Sequence, residues 1–237
     1  MPDHTQTLGA QKLPVSCSVV IPVYADDLAL RSLLTQIQSW RLPTVVVDGA
    51  SALATRHVVE EFACFARYLA SQPGRGQQIA CGLQHVYTPW VWVLHADTQP
   101  SEGAFAYMVN LSSTKNYCWG RFDVDIPGLA LVAFMMNLRS RLTRICTGDQ
   151  GMFFSVRQLQ ALGGFPDQPL MEDIEVSKLM KRAGFPFVPR REVVRASSRR
   201  WMKQGILKTV VSMWWYRLRY FCGADAEALY QRYYGRK

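Results

Sequence analysis

Two apolar runs in this chain end on a carboxylate. Val91-Trp92-Val93-Leu94-His95-Ala96-Asp97-Thr98 lies between Pro89 and Pro100 and closes on Asp97. Its length and flanks predict a buried strand over residues 90–97. Val45-Val46-Val47 closes in the same way on Asp48. Open α/β sheets bind ligands outside the carboxyl ends of their strands, so an acid there can hold a metal, a ribose or a phosphate-bearing ligand. The alternative is an acid that caps the following helix. Gly74-Arg75-Gly76 opens another segment. N–H groups at a helix start, joined by a guanidinium, can approach a phosphate, although the same tripeptide also makes a plain loop. Asp149, between Gly148 and Gln150, can accept hydrogen bonds from a ligand or simply occupy a turn. Glu172 and Asp173 open a later helix, where carboxylates suit the helix dipole.

The elements needed to position these groups follow a regular alternation. Strands are expected over residues 16–24, 44–48 and 67–70, with helices over 26–40, 51–65 and 74–86. Leu28, Leu30, Leu33, Leu34 and Ile37 approximate one helical face, and Ser51 is an expected N-cap. The β-α-β-α-β-α-β rhythm predicts an α/β fold with a mostly parallel central sheet and right-handed crossovers. Asp48 and Asp97 then share one sheet edge. Beyond it, helices are expected over 101–111, 129–145, 171–182 and 206–222, strands over 117–126 and 150–156, and a sharp turn at Gly163-Gly164-Phe165-Pro166.

Composition narrows the class. The chain has 237 residues, 49% hydrophobic and 19% charged, enough for one globular domain with an appendage. Its six cysteines form no CxxC pair, which fits reduced thiols better than a disulfide frame or zinc site. Residues 1–12 lack an apolar signal core, and no run reaches membrane-span length. A cytoplasmic protein is expected, with residues 1–14 as a flexible tail, 15–200 as the main domain and 201–237 as a basic, aromatic helical extension. The net charge of +9 is uneven: residues 190–237 hold 12 Lys and Arg against 3 Asp and Glu, while residues 1–189 hold 15 of each. Such asymmetry suggests an anionic partner, or only a solvated tail. Trp214, Trp215, Tyr216, Tyr220 and Phe221 interleave with Arg217 and Arg219. That helix can lie peripherally at the inner face of a membrane or pack on the domain. Nucleic acid is the least favoured partner, because no recognised binding motif is present.

The order Val19-Val20-Ile21-Pro22-Val23-Tyr24, Val45-Val46-Val47-Asp48-Gly49-Ala50-Ser51, Leu94-His95-Ala96-Asp97, Gly148-Asp149-Gln150 and Glu172-Asp173 resembles a family-2 glycosyltransferase. The resemblance runs from about residue 16 to about 222. It is closest to a small bacterial subgroup with LHADT, TGDQ and PLMEDIE signatures, named for arsenosugar biosynthesis. It implies a single GT-A, Rossmann-like domain that moves a sugar from a nucleotide-diphosphate donor to an acceptor hydroxyl with inversion. Pro22, Val23, Tyr24, Asp48, Gly49, Arg75, Gly76, Asp97 and Arg200 would face the donor. Asp149, Gln150, Glu172 and Trp201 would face the donor sugar and the acceptor, and Asp173 would be the catalytic base. Asp97 would bind a divalent cation, Mn²⁺ or Mg²⁺, as the surviving acid of a DxD-type motif whose first acid is here His95. Ala80 stands where similar sequences commonly have Asn. Arg199-Arg200-Trp201 is similar to the end of a QxxRW motif, with Ser197 in the Gln position. These departures keep open a catalytically weak nucleotide-sugar-binding or scaffold protein. A nucleotidyltransferase shares the same sheet and acidic edge, and fold alone does not separate them.

Overall fold

The computed structural model describes residues 16–111 and 117–235. The expected tail over 1–14 lies outside the described residues. The first half follows the expected alternation: β1 (Cys17–Val23), α1 (Asp27–Ile37), β2 (Thr44–Asp48), α2 (Leu53–Glu60), β3 (Ala66–Ala70), α3 (Arg75–Leu83) and β4 (Trp90–Val93). Then come β5 (Thr98–Pro100), α4 (Glu102–Asn110), β6 (Trp119–Asp125), α5 (Ala130–Thr143), β7 (Phe153–Ser155), α6 (Val156–Ala161), α7 (Glu172–Arg182) and β8 (Phe187–Ala196). Three helices, α8 (Arg199–Gln204), α9 (Ile206–Phe221) and α10 (Ala226–Tyr234), follow.

One eight-stranded sheet runs in the order β3-β2-β1-β4-β7-β6-β8-β5. The β3-β2-β1-β4 half is parallel. The sheet turns mixed at β7, which is antiparallel to both β4 and β6, and β8 is parallel to β6. Strands covered on both faces carry apolar side chains at odd and even positions alike. Val19, Ile21, Trp90, Trp92 and Leu94 join the core that also takes in α1, α2 and α4. Val20, Val91 and Val93 join the opposite core, with α3, α6 and α7.

Several expectations shift. β4 stops at Val93, and Thr98 donates through both its N–H and its hydroxyl to the His95 carbonyl, at 3.1 and 2.6 Å. The resulting turn carries Asp97, so this acid sits in the β4–β5 connection and not in the strand. Ser51 is not an N-cap: it takes a left-handed φ of 51°, and Ala52 occupies the cap position. The expected 150–156 strand shortens to β7, because residues 148–150 form a 3₁₀ turn. β8 is unforeseen, since Pro189 and the charged Arg190-Arg191-Glu192 mask its strand character.

Candidate active site

The site lies at the carboxyl ends of β1 and β4, where two cavities meet. The first is lined by Arg75, His95, Asp97, Gly148, Asp149, Glu172 and Asp173 together with Ser197, Trp201, Met213, Tyr216, Arg217 and Tyr233. The second is lined by Pro22, Val23, Tyr24, Asp26, Gly74, Gln78, Tyr230 and Tyr234, and by the same Arg75, His95 and Asp97. These three residues form the shared wall.

Local backbone geometry explains how the acids converge. Met171 precedes α7 in the left-handed region, at φ 63° and ψ 20°. Such strain in a non-glycine residue persists only where the surroundings enforce it. It delivers Glu172 and Asp173 as the first turn of α7. Asp173 accepts from the Gly148 N–H at 3.1 Å through Oδ2 and from the Ile174 N–H at 2.7 Å through Oδ1. Gly148 is demanded by sterics: a Cβ there would lie 2.3 Å from the His95 ring. His95 Nδ1 lies 3.1 Å from Asp149 Oδ1. An ionised carboxylate only accepts, so Nδ1 carries the proton. The buried Nε2 has no partner among the described residues.

The acids perturb one another. Burial, then the neighbouring Asp173, pushes Glu172 up to about 7, against the pull of Arg75. Burial also raises Asp173, opposed by Arg75 and by its two backbone N–H donors. Asp97 is raised by burial and by Asp149. Burial works against the charge of Arg75, but Tyr234, Glu172, Asp149 and Asp173 more than offset this and hold it protonated. A pair coupled this closely titrates as a unit. Perturbed acids clustered in a cleft mark a functional site.

The Glu172 shift has a thermodynamic signature. Its folded value is raised, so the stability it permits is complete below about 4.5 and is lost as pH rises through about 7. Urea unfolding at the two ends of that window should show this contribution to wild-type stability falling as pH rises. Glu172→Gln should largely flatten that dependence.

Other expected site residues fall elsewhere. Asp48 is fully buried, and its oxygens accept the Ala50 and Ala52 N–H groups, each at 2.8 Å. It caps the turn before α2 and lines neither cavity. Gly49 donates its N–H to the Val23 carbonyl, and a Cβ there would crowd Gln78 and Pro73. Gly76 donates to the Gln168 carbonyl, and a Cβ would sit 2.2 Å from that oxygen. It is a packing glycine whose N–H is already engaged. Gln150 lines neither cavity. It is fully buried, accepts from Thr147, and donates to Asn137 and Ser140. The Arg200 side chain lies outside the described residues. Trp201 is buried and lines the first cavity.

Sequence reasoning missed Gln78, whose amide donates to the Val23 and Val47 carbonyls, both at 2.7 Å, and so ties β1 to β2 under the second cavity. It also missed Tyr230, Tyr233 and Tyr234 on α10. Their i, i+3, i+4 spacing was a usable signal. Helices α9 and α10 close over the site: Tyr220 on α9 donates to Glu175 on α7 at 2.6 Å, and Leu170, Tyr216 and Leu229 share a core.

The family model described as Glycosyl transferase family 2 matches residues 18–156. The chain belongs to glycosyl transferase family 2. The matched stretch runs from β1 into α6 and holds Arg75, Asp97 and Asp149, whereas Glu172, Asp173 and the helices α8–α10 lie beyond it. The family-2 fold also appears in solved structures. The mannosyltransferase PcManGT from Pyrobaculum calidifontis, in complex with GDP-Man and Mn²⁺, superposes with a TM-score of 0.60 at 19% identity, over 76% of this chain and 56% of that one. S. aureus TarS 1-349 in complex with UDP-GlcNAc gives 0.63 at 17% identity, over 78% and 59%. At these identities the likeness is one of fold: an α/β domain of GT-A type with a mixed sheet. This chain thus spans just over half the length of those proteins. A search of curated proteins finds no match.

Proposed function

We propose that this family-2 chain is an inverting glycosyltransferase that uses a nucleotide-diphosphate sugar. The observation that carries the reading is the shared wall of Arg75, His95 and Asp97 between two cavities of different character. The cavity with Pro22, Val23 and Tyr24 takes the nucleotide, with Tyr24 and the α10 tyrosines offering faces to the base. The acid cavity takes the acceptor, and the anomeric carbon lies at the wall. Asp173 lines only the acceptor side, as a base attacking opposite the leaving group requires. The acceptor hydroxyl gives its proton to Asp173 as its oxygen bonds to the anomeric carbon, and the bond from that carbon to the diphosphate breaks. Arg75 stabilises the charge developing on the departing nucleoside diphosphate. The Gly148 and Ile174 N–H groups hold Asp173 in place, and Asp149 lines the acceptor cavity where sugar hydroxyls would lie.

PcManGT was solved with Mn²⁺. Among the described residues no cluster of three or more His, Cys, Asp or Glu forms a metal site. Asp97 fits as a single carboxylate ligand on the shared wall, with diphosphate oxygens completing the set. A divalent cation bound there would neutralise the leaving group. The LHADT, TGDQ and PLMEDIE segments supply half of the residues that line the acid cavity, in keeping with kinship to the arsenosugar-named subgroup. Among the described residues no helix is long and apolar enough to cross a membrane.

Thermal unfolding with UDP, GDP and CDP, each with and without Mn²⁺, tests the donor site. One nucleotide should stabilise the fold by mass action, about 2.7 kcal/mol at a hundredfold excess over Kd. Mn²⁺ should enhance the shift, and Asp97→Ala should remove the enhancement. No stabilisation by any nucleotide would overturn the donor assignment.

A further inference from the structure

Outside the two cavities, α5 and α9 present an apolar face with no partner among the described residues. On α5, Leu131, Phe134, Met135, Leu138 and Leu142 recur at helical spacing, with exposures between 38% and 75%. On α9, Leu207, Val211, Trp214, Leu218 and Phe221 form a second exposed stripe. Between the helices runs a groove of about 540 Å³. Contiguous apolar exposure of this kind marks an interaction surface or a membrane contact.

The helices of this face carry charge of one sign, although Arg141, Arg195 and Arg199 pair with Asp123, Asp125 and Asp26 on neighbouring elements. Residues 127–147 and 193–224, which contain α5, α8 and α9, carry 10 Lys and Arg and no Asp or Glu. Lys203, Lys208, Arg144 and Arg219 among them are exposed. Arg139 lines the groove, with its buried Nε and Nη2 unpartnered among the described residues. A second copy docked face to face would set like charges against each other, which is unfavourable. The complement of the face is apolar and anionic at once.

We propose that the α5–α9 face docks on an anionic lipid bilayer surface. The two stripes enter the headgroup–acyl boundary, Trp214 sits at headgroup level, and the flanking Lys and Arg meet the lipid charges. Trp201, Met213 and Arg217 line both the groove and the acid cavity. Docking therefore brings the acid cavity close to the membrane, where an amphiphilic acceptor would present its hydroxyl. That consequence for the acceptor rests on the glycosyltransferase reading; the docking itself does not.

Vesicle sedimentation of the full chain tests the proposal, using vesicles of phosphatidylcholine and phosphatidylglycerol in equal parts and vesicles of phosphatidylcholine alone. The chain should sediment with the anionic vesicles, less with the neutral ones, and less as salt rises. Trp214→Glu with Leu218→Glu should weaken binding about a hundredfold, and Lys203→Glu with Lys208→Glu about tenfold. All four side chains are exposed, so unfolding midpoints and nucleotide response should stay unchanged. A wild type that remains in the supernatant with both vesicles overturns the proposal. So does undiminished binding by the Trp214/Leu218 variant. A dimer in sedimentation velocity that those substitutions abolish, without vesicle binding, assigns the face to a second copy instead. Vesicle binding without sugar transfer leaves the docking standing and removes the functional reading, and transfer without vesicle binding does the reverse.

Discussion

Asp173→Asn should abolish most sugar transfer while leaving donor binding intact. A positioned general base contributes about 10²–10⁴-fold, so kcat should fall by that factor. The Asn side-chain oxygen can still accept from the Gly148 N–H that Asp173 now engages, so the α7 start keeps its anchor. The nucleotide-induced thermal shift should match wild type, because Asp173 lines only the acceptor cavity. In wild type, the acid limb of the pH–rate profile should lie above the usual Asp range, in keeping with the upward shift of the buried Glu172–Asp173 pair. Steady-state kinetics on the two proteins checks both statements. A variant with near-normal kcat would remove Asp173 from catalysis.

Arg75→Met should cost both activity and stability. Arg75 pulls down the pKa of Glu172, Asp173 and Asp97. Without it the buried acids lose their counter-charge, a loss of about 3–5 kcal/mol of stability near neutral pH. The sign follows from the shifts. Removing a lowering influence raises the acids further, so the acid limb of the pH–rate profile moves to higher pH, and stability falls more steeply as pH rises. Loss of a cation at the leaving group should lower kcat by about 10²-fold. Denaturant unfolding across pH, paired with pH–rate profiles, separates this from general disruption. A uniform loss of activity with no movement of the limb would mean that Arg75 does not act on the acid pair.

The parallel half of the fold was legible because its strands are covered on both faces and so read as unbroken apolar runs. Thr44–Asp48 is the clearest case. In the mixed half β6 was legible over 117–126, but β7 only in part and β5 and β8 not at all, for physical reasons. β5 and β7 are three residues each, too short to carry a period. β8 puts Pro189 and Arg190 where alternation would show. The chemistry was legible as residue types: Arg75, Asp97, Asp149, Glu172 and Asp173 do line one cavity. What the sequence could not reveal was which polar residues the scaffold consumes. Asp48, Gly76 and Gln150 look like ligand contacts in a motif, yet their hydrogen bonds go to backbone and buried neighbours brought close only by the tertiary fold. The α10 tyrosines pose the converse problem, since nothing local says that a C-terminal helix folds back over the donor cavity.

The most direct test of the central claim is product analysis with UDP-, GDP- and CDP-sugars in the presence of Mn²⁺. Release of a nucleoside diphosphate from one donor, lost in Asp173→Asn, is the predicted result. Release of pyrophosphate would identify a nucleotidyltransferase. A donor that binds yet is never turned over would identify a binding or scaffold protein, and either outcome would contradict the account.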